Sequence, residues 1–153
     1  MYRKVGRRLA IDYGDVRIGV AMSDLSGVVA SPLETIENGE SFAESQRRIA
    51  EICNEEEVSV IYIGLPLQLS GEEGGSALKA REFARGLSTY LPNEIVVRMI
   101  DERLTTSSAH KSALETGRKL TKFEIDQYAA VAILEIALST EKSRGDFAGS
   151  ALE

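Results

Sequence analysis

The sequence predicts an α/β domain built on a mixed five-stranded sheet, the first three strands antiparallel and the last two parallel through helices, with helices flanking it. Three observations carry that reading. Two apolar runs, Leu9-Ala10-Ile11 and Ile18-Gly19-Val20-Ala21-Met22, are joined by a turn at Gly14. Two later runs, Val58-Ser59-Val60-Ile61-Tyr62-Ile63-Gly64 and Glu94-Ile95-Val96-Val97-Arg98-Met99-Ile100, have the near-continuous β-branched character of strands covered on both faces. Segments of helical periodicity separate and follow those two runs.

The opening hairpin places a carboxylate, Asp12, at the end of its first strand and ends its second on Ser23-Asp24. A third strand is expected over residues 27–36, with Pro32 marking an edge or an irregularity. Residues 41–57 carry Phe42, Ile49, Ile52 and Cys53 at helical spacing. The next strand stops at Gly64-Leu65-Pro66, and the glycine-rich stretch 68–75 reads as a loop. A second helix shows Leu78, Phe83 and Leu87 on its apolar side and ends at Leu91-Pro92-Asn93. The strand after it terminates in Asp101-Glu102. Thr105 or Thr106 is placed to cap a helix running to Glu115 and closed by Gly117.

The final helix opens on Thr121-Lys122-Phe123-Glu124, in which Thr121 and Glu124 stand at capping-box spacing. Its expected core face is Ile125, Ala129, Ala132, Ile133 and Ile136. Asp126 lies at the margin of that face, and the small side chains of Ala129 and Ala130 would let the helix approach a sheet closely. Residues 141–153 are mostly Gly, Ser, Ala and charge, so the domain is expected over 1–140 and a disordered tail over 141–153.

With 153 residues and 43% hydrophobic content the chain suffices for one domain with a full core. Its single cysteine, Cys53, forms no intrachain disulfide and no zinc cluster, which fits the cytoplasm. A basic N-terminus leads into a strand carrying Asp12 rather than an apolar signal core, and no run of about 18 apolar residues follows, so a membrane is not expected. The net charge of −6 argues against coating nucleic acid by bulk electrostatics, though not against a local basic groove. Arg3, Lys4, Arg7 and Arg8 precede the first strand, Arg98 and Arg103 flank Asp101-Glu102, and Lys111, Arg118, Lys119 and Lys122 crowd the approach to the last helix.

Strands joined through a helix run parallel, and right-handed crossovers bring their C-terminal ends to one edge. Asp12, the Gly64-Leu65-Pro66 turn and Asp101-Glu102 then share the edge where open α/β sheets bind ligands. Asp126, on a closely packed helix, would complete a group of three or four carboxylates. An oxygen-only cluster suits Mg²⁺ or Mn²⁺, and two such ions about 4 Å apart activate water and stabilise the leaving oxygen in phosphodiester cleavage. Gly14 would leave room for a phosphate backbone, and Arg17 and Arg103 are placed to meet phosphate oxygens. His110 has no paired Ser or Cys and is read as incidental. Side chains at a strand end alternate sides, so one of Asp101 and Glu102 is expected to face the site.

Four blocks together resemble the bacterial YqgF/RuvX family: residues 12–24, Gly64-Leu65-Pro66 with Gly71 and Glu73, residues 101–106, and Asp126 with Ala129-Ala130 and Ile133-Leu134. The resemblance implies an RNase H-like fold similar to RuvC-type resolvases. It also implies a cytoplasmic, metal-dependent nuclease acting on precursor 16S rRNA 5′ ends or on Holliday junctions. Asp12, one of the Asp101-Glu102 pair, and Asp126 match the family's metal ligands. Val16 departs from the Lys often found before the Arg of this motif. Resolution of a junction would imply a homodimer. The Asp-x-Gly hairpin is also similar to the phosphate loop of actin-like ATPases, which need a second lobe this chain is too short to hold. A third reading is a non-catalytic nucleic-acid-binding module.

Overall fold

A computed structural model describes residues 6–105, 115 and 117–152. Strands β1 (Arg7–Asp12), β2 (Arg17–Ser23) and β3 (Ala30–Glu37) form an antiparallel meander. Helix α1 (Ala43–Glu55) leads to β4 (Val58–Leu65), and α2 (Gly75–Ser88) leads to β5 (Val96–Asp101). A 3₁₀ turn (Glu102–Leu104), helix α3 (Lys122–Arg144) and a two-residue strand β6 (Ser150–Ala151) complete it. The spatial order is β3-β2-β1-β4-β5-β6, with β1, β4 and β5 parallel.

The β3 irregularity expected at Pro32 is present as a register shift against β2 between Val20 and Ala21. Proline has no amide hydrogen to give to the ladder, and β3 is the edge where that loss is tolerated.

The two faces of the sheet are filled differently. Large side chains of Leu9, Ile11, Ile18, Val20, Ile61 and Ile63 pack with Ile49, Phe83 and Leu87 of α1 and α2. The opposite face presents Ala10 and Ala21, with Val60 and Tyr62, to Ala130, Ile133, Leu134 and Ala137 of α3. Alternation along each strand makes this division, and small residues on one side let a single helix lie close across β2 and β1. Two helices cover the other face.

Four expectations need correction. The sheet has six strands rather than five, because β6 pairs antiparallel with Arg98 and Met99 of β5. The disordered tail from 141 is likewise replaced by order: α3 continues to Arg144 and ends on Gly145 in the left-handed region, at φ 69°. The cause lies in Glu141, which is buried and ion-paired with the buried Arg8 at 2.8 Å, with its second oxygen accepting from the Tyr62 hydroxyl. That oxygen of Tyr62 in turn accepts from the Ala148 amide. A tail poor in hydrophobic residues is therefore held by a buried polar network and by Ala148 itself, and composition does not register either. The apolar faces of two helices are also shifted. Leu78 and Ile125 are exposed, whereas Ala77, Ala80 and Ala84 of α2 and Val131 and Leu134 of α3 are buried. The helix proposed between Thr106 and Glu115, with His110 and Lys111, lies outside the described residues.

Two arginines of the expected basic clusters are taken up by the fold. Arg8 is buried against Glu141, and Arg98 donates to the carbonyls of Ala148 and Gly149, fastening β6 rather than flanking the site.

Candidate active site

Alternation decides which acids meet. On β1, Asp12 shares its face with Ala10, the face that α3 covers. Gly64 on β4 lies on the face of Val60 and Tyr62, and Arg17 and Gly19 on β2 lie on that of Ala21. On β5, Ile100 belongs to the α3 face and Met99 to the other. Glu102 follows the parity of Ile100 and Asp101 that of Met99. Of the Asp101-Glu102 pair it is thus Glu102 that reaches Asp12, and the two carboxyl groups share a hydrogen bond.

Two glycines make the approach possible. A Cβ on Gly64 would overlap Oε1 of Glu102 and press on Ile133, so the end of β4 is hollowed out for this carboxyl group. Gly19 pairs with Asp12 across the hairpin, and a Cβ there would overlap the carbonyl oxygen of Asp126. The N-terminal part of α3 therefore rests on bare backbone, directly beside Asp12. The capping box that starts α3 is present, with the Thr121 hydroxyl accepting from the Glu124 amide at 3.2 Å and Glu124 accepting from the Thr121 amide at 3.1 Å.

The electrostatics follow from this crowding. Burial raises the Asp12 pKa, and the nearby Asp126 charge adds to the rise, while the hydrogen bond from Glu102 opposes it. Glu102 is pushed up to about 8 by burial first, then by its bond to Asp12 and by the charges of Asp12 and Asp101. Near neutral pH Glu102 therefore keeps its proton. Asp126 is engaged differently: Arg17 Nε donates to its Oδ2 at 2.6 Å.

Asp101 points away from this group. It caps the 3₁₀ turn by accepting from the Arg103 amide at 2.9 Å and forms a forked ion pair with the Arg103 side chain, the shorter arm at 2.7 Å. Arg103 holds the Asp101 carboxyl below its ordinary value. Both arginines expected to meet phosphate are thus engaged with carboxylates, Arg17 with Asp126 and Arg103 with Asp101. Gly14 is accounted for by the hairpin itself, since a Cβ would overlap the Arg17 carbonyl oxygen; its own carbonyl accepts from Asn38 at 3.0 Å.

Asp12, Glu102 and Asp126 are the sequence-predicted acids brought together. Among the described residues no three acid, histidine or cysteine side chains stand, as placed, in a group that could hold an ion. Gly19 was not singled out as a functional position from the sequence. The available signal was the pairing of a glycine on β2 with an acid-bearing strand end, opposite a helix whose next turn is Ala129-Ala130.

A sheet of this topology with one long helix across its face defines a class: α/β proteins of the RNase H-like fold. Its structural neighbours include RuvC proteins. Thermus thermophilus RuvC in complex with a Holliday junction substrate superposes with a TM-score of 0.65 over 93% of this chain and 98% of that one, at 14% identity. A second Thermus thermophilus RuvC structure gives 0.58. These likenesses establish the fold. The chain belongs to the RuvX family: the family model described as "RuvX: Holliday junction resolvase" matches residues 6–140. Relatives named "Putative pre-16S rRNA nuclease" include that of Streptomyces avermitilis, 41% identical over 97% of this chain and 95% of its relative. That of Corynebacterium jeikeium is 46% identical over 90% and 88% respectively. No helix among the described residues is long and apolar enough to cross a membrane.

Proposed function

We propose that this chain is a divalent-metal-dependent nuclease that hydrolyses phosphodiester bonds in structured nucleic acid, with the 5′ end of precursor 16S rRNA as its substrate. The observation that carries the reading is the Asp12–Glu102 carboxyl pair, set beside Asp126 where α3 rests on Gly19. Carboxyl groups crowded until two of them resist ionisation are stabilised by a bound cation. The donor set, oxygen only, fits Mg²⁺ or Mn²⁺. Asp12 and Glu102, joined by Asp126 once its carboxylate leaves Arg17, would hold the ions, which when bound supply an activated water and stabilise the leaving oxygen.

The remaining residues have supporting tasks in this reading. Gly64 and Gly19 let the acids close in. Asp101 acts as a positioning residue, holding the exposed Arg103 guanidinium at the rim, where a phosphate can reach its outward edge. Arg17 is the counter-charge of Asp126. The RNA substrate is supported by the names of the relatives, and the family's description supplies the competing substrate, a four-way DNA junction.

The test is a matched panel of precursor rRNA 5′ ends and four-way DNA junctions with Mg²⁺ or Mn²⁺. Native protein is expected to cut the rRNA end, and Asp12→Asn and Glu102→Gln each to lose more than about a hundredfold in rate, since even residues behind the metal ligands cost up to that much. Full cleavage by Asp12→Asn in protein free of contaminating nuclease would overturn the assignment. Preferential junction cutting by a stable dimer would replace the RNA reading with the resolvase one.

A further inference from the structure

We infer that Phe123 is a stacking platform for an unpaired nucleobase adjoining the phosphodiester to be cleaved; the inference rests on the nuclease reading above and specifies its substrate as locally single-stranded. Phe123 lies in the first turn of α3, three residues before Asp126, so ring and carboxylate stand about one helical turn apart. The residue is 41% exposed, unusual for a phenylalanine in a domain with a full core. Two cations lie over its ring: the Arg17 guanidinium 5.8 Å from the ring centroid and, on its flexible stem, the Lys122 ammonium 5.5 Å. Its backbone is fixed, because the Thr35 hydroxyl donates to the Phe123 carbonyl and itself accepts from Gln127 at 3.1 Å. The ring thus sits on an anchored base.

An aromatic ring that already holds positive charge over it, next to acids that would hold phosphate-directed metal ions, is complementary to one nucleotide unit, the base displacing the Lys122 ammonium from the ring and the phosphate taking up that cation. Tyr13 does not compete: although it follows Asp12, it lies on the opposite face against Phe42 and Phe83, with centroids 5.8 and 5.0 Å away. A base inside a duplex has its faces covered by its neighbours and cannot reach Phe123, so the platform selects for unpaired strand.

The chain has no tryptophan, so Phe123→Trp introduces a single fluorophore at the proposed contact. This variant, native protein, Phe123→Leu and Phe123→Ala are titrated in EDTA with a single-stranded oligonucleotide, the same strand made abasic, and the corresponding blunt duplex. Tryptophan emission is expected to be quenched by the single strand and not by the abasic strand or the duplex. Phe123→Ala and Phe123→Leu are expected to weaken single-strand binding about tenfold, the loss of one stacked base, with duplex binding unchanged. Thermal unfolding checks that each variant is folded. Equal weakening toward both strands and duplex, full retention of binding by Phe123→Ala, or binding without quenching would each overturn the platform. The nuclease reading is judged separately: if native protein cleaves and Asp12→Asn does not, it stands whatever Phe123 does. Failure of native protein to bind any of the three nucleic acids would sink the platform as well.

Discussion

Gly19 and Asp126 meet backbone to backbone: a methyl group on the first would occupy the place of the carbonyl oxygen of the second. Gly19 is also the partner of Asp12 in the β1–β2 ladder. One missing side chain therefore sets the separation of two acids distant in sequence. Gly19→Ala is expected to push α3 off β2, lowering stability by about 1–3 kcal/mol as overpacked cores do, and to reduce cleavage more than that loss explains. Urea unfolding and cleavage rates at a temperature where the variant is fully folded separate the two effects.

The neighbouring acids Asp101 and Glu102 are expected to behave oppositely. Glu102→Gln abolishes cleavage while leaving the fold intact. Asp101→Asn weakens the hold on Arg103 and costs no more than about tenfold, at the mild end of what supporting residues contribute. Equal losses for both would show that parity along β5 does not decide the ligand.

Arg17 competes with any cation for Asp126. Arg17→Gln is expected to tighten Mn²⁺ binding several-fold in calorimetry with no nucleic acid present, whereas Arg17→Lys, which keeps the charge, changes it little. Unchanged Mn²⁺ affinity in Arg17→Gln would mean that Asp126 lies outside the ion site.

The raised pKa of Glu102 has a direct consequence for stability without metal. Between about 4.5, its ordinary value, and about 8, the folded protein holds a proton that the unfolded chain has released. Stability contributed by this group is therefore whole below that window and declines as pH rises through it. Metal-free protein is expected to melt at lower temperature at pH 8.5 than at pH 5.5, and Glu102→Gln to flatten that slope. Asp24 and Glu124, both held down at about 2 by hydrogen bonds, act in the opposite sense and at lower pH, losing their contribution as pH falls. They leave the upper window clear.

Breaking the buried Arg8–Glu141 pair leaves the Arg8 charge buried without its carboxylate. Glu141→Ala is expected to cost about 3–5 kcal/mol, measured by chemical denaturation. A loss below about 1 kcal/mol would mean that the pair adds little to the fold beyond what an exposed bridge would.

Much of this was legible in the residues because the relevant signals are local. The hairpin, the two covered strands and the Thr121 capping box each announce themselves within a few positions. The convergence of Asp12 with the 101/102 pair follows from parallel topology. The choice of Glu102 was within reach as well, since Ile100 and Met99 assign the faces of β5, but only once α3 was known to cover the face of Ala10. Other features were not legible because they depend on distant partners. Arg17 and Arg103 carry the same charge whether they meet phosphate or a carboxylate, and β6 is held by Arg98 and a buried glutamate rather than by hydrophobic content. Leu78 and Ile125 misled because alanines make the close contacts of both helices.

Helix α3 is fastened far from the acid it carries. Asp126 and Glu141 are fifteen positions apart, about 22 Å along the axis, with the Gly19 crossing near one end and the Arg8–Tyr62 anchor at the other. Because the helix lies on the sheet between these two points through Ala130, Ile133, Leu134 and Ala137, a shift at the distant clamp is expected to reach the carboxylate. Variants at Arg8 or Tyr62 that remain folded can therefore be slow enzymes without any altered group in reach of substrate.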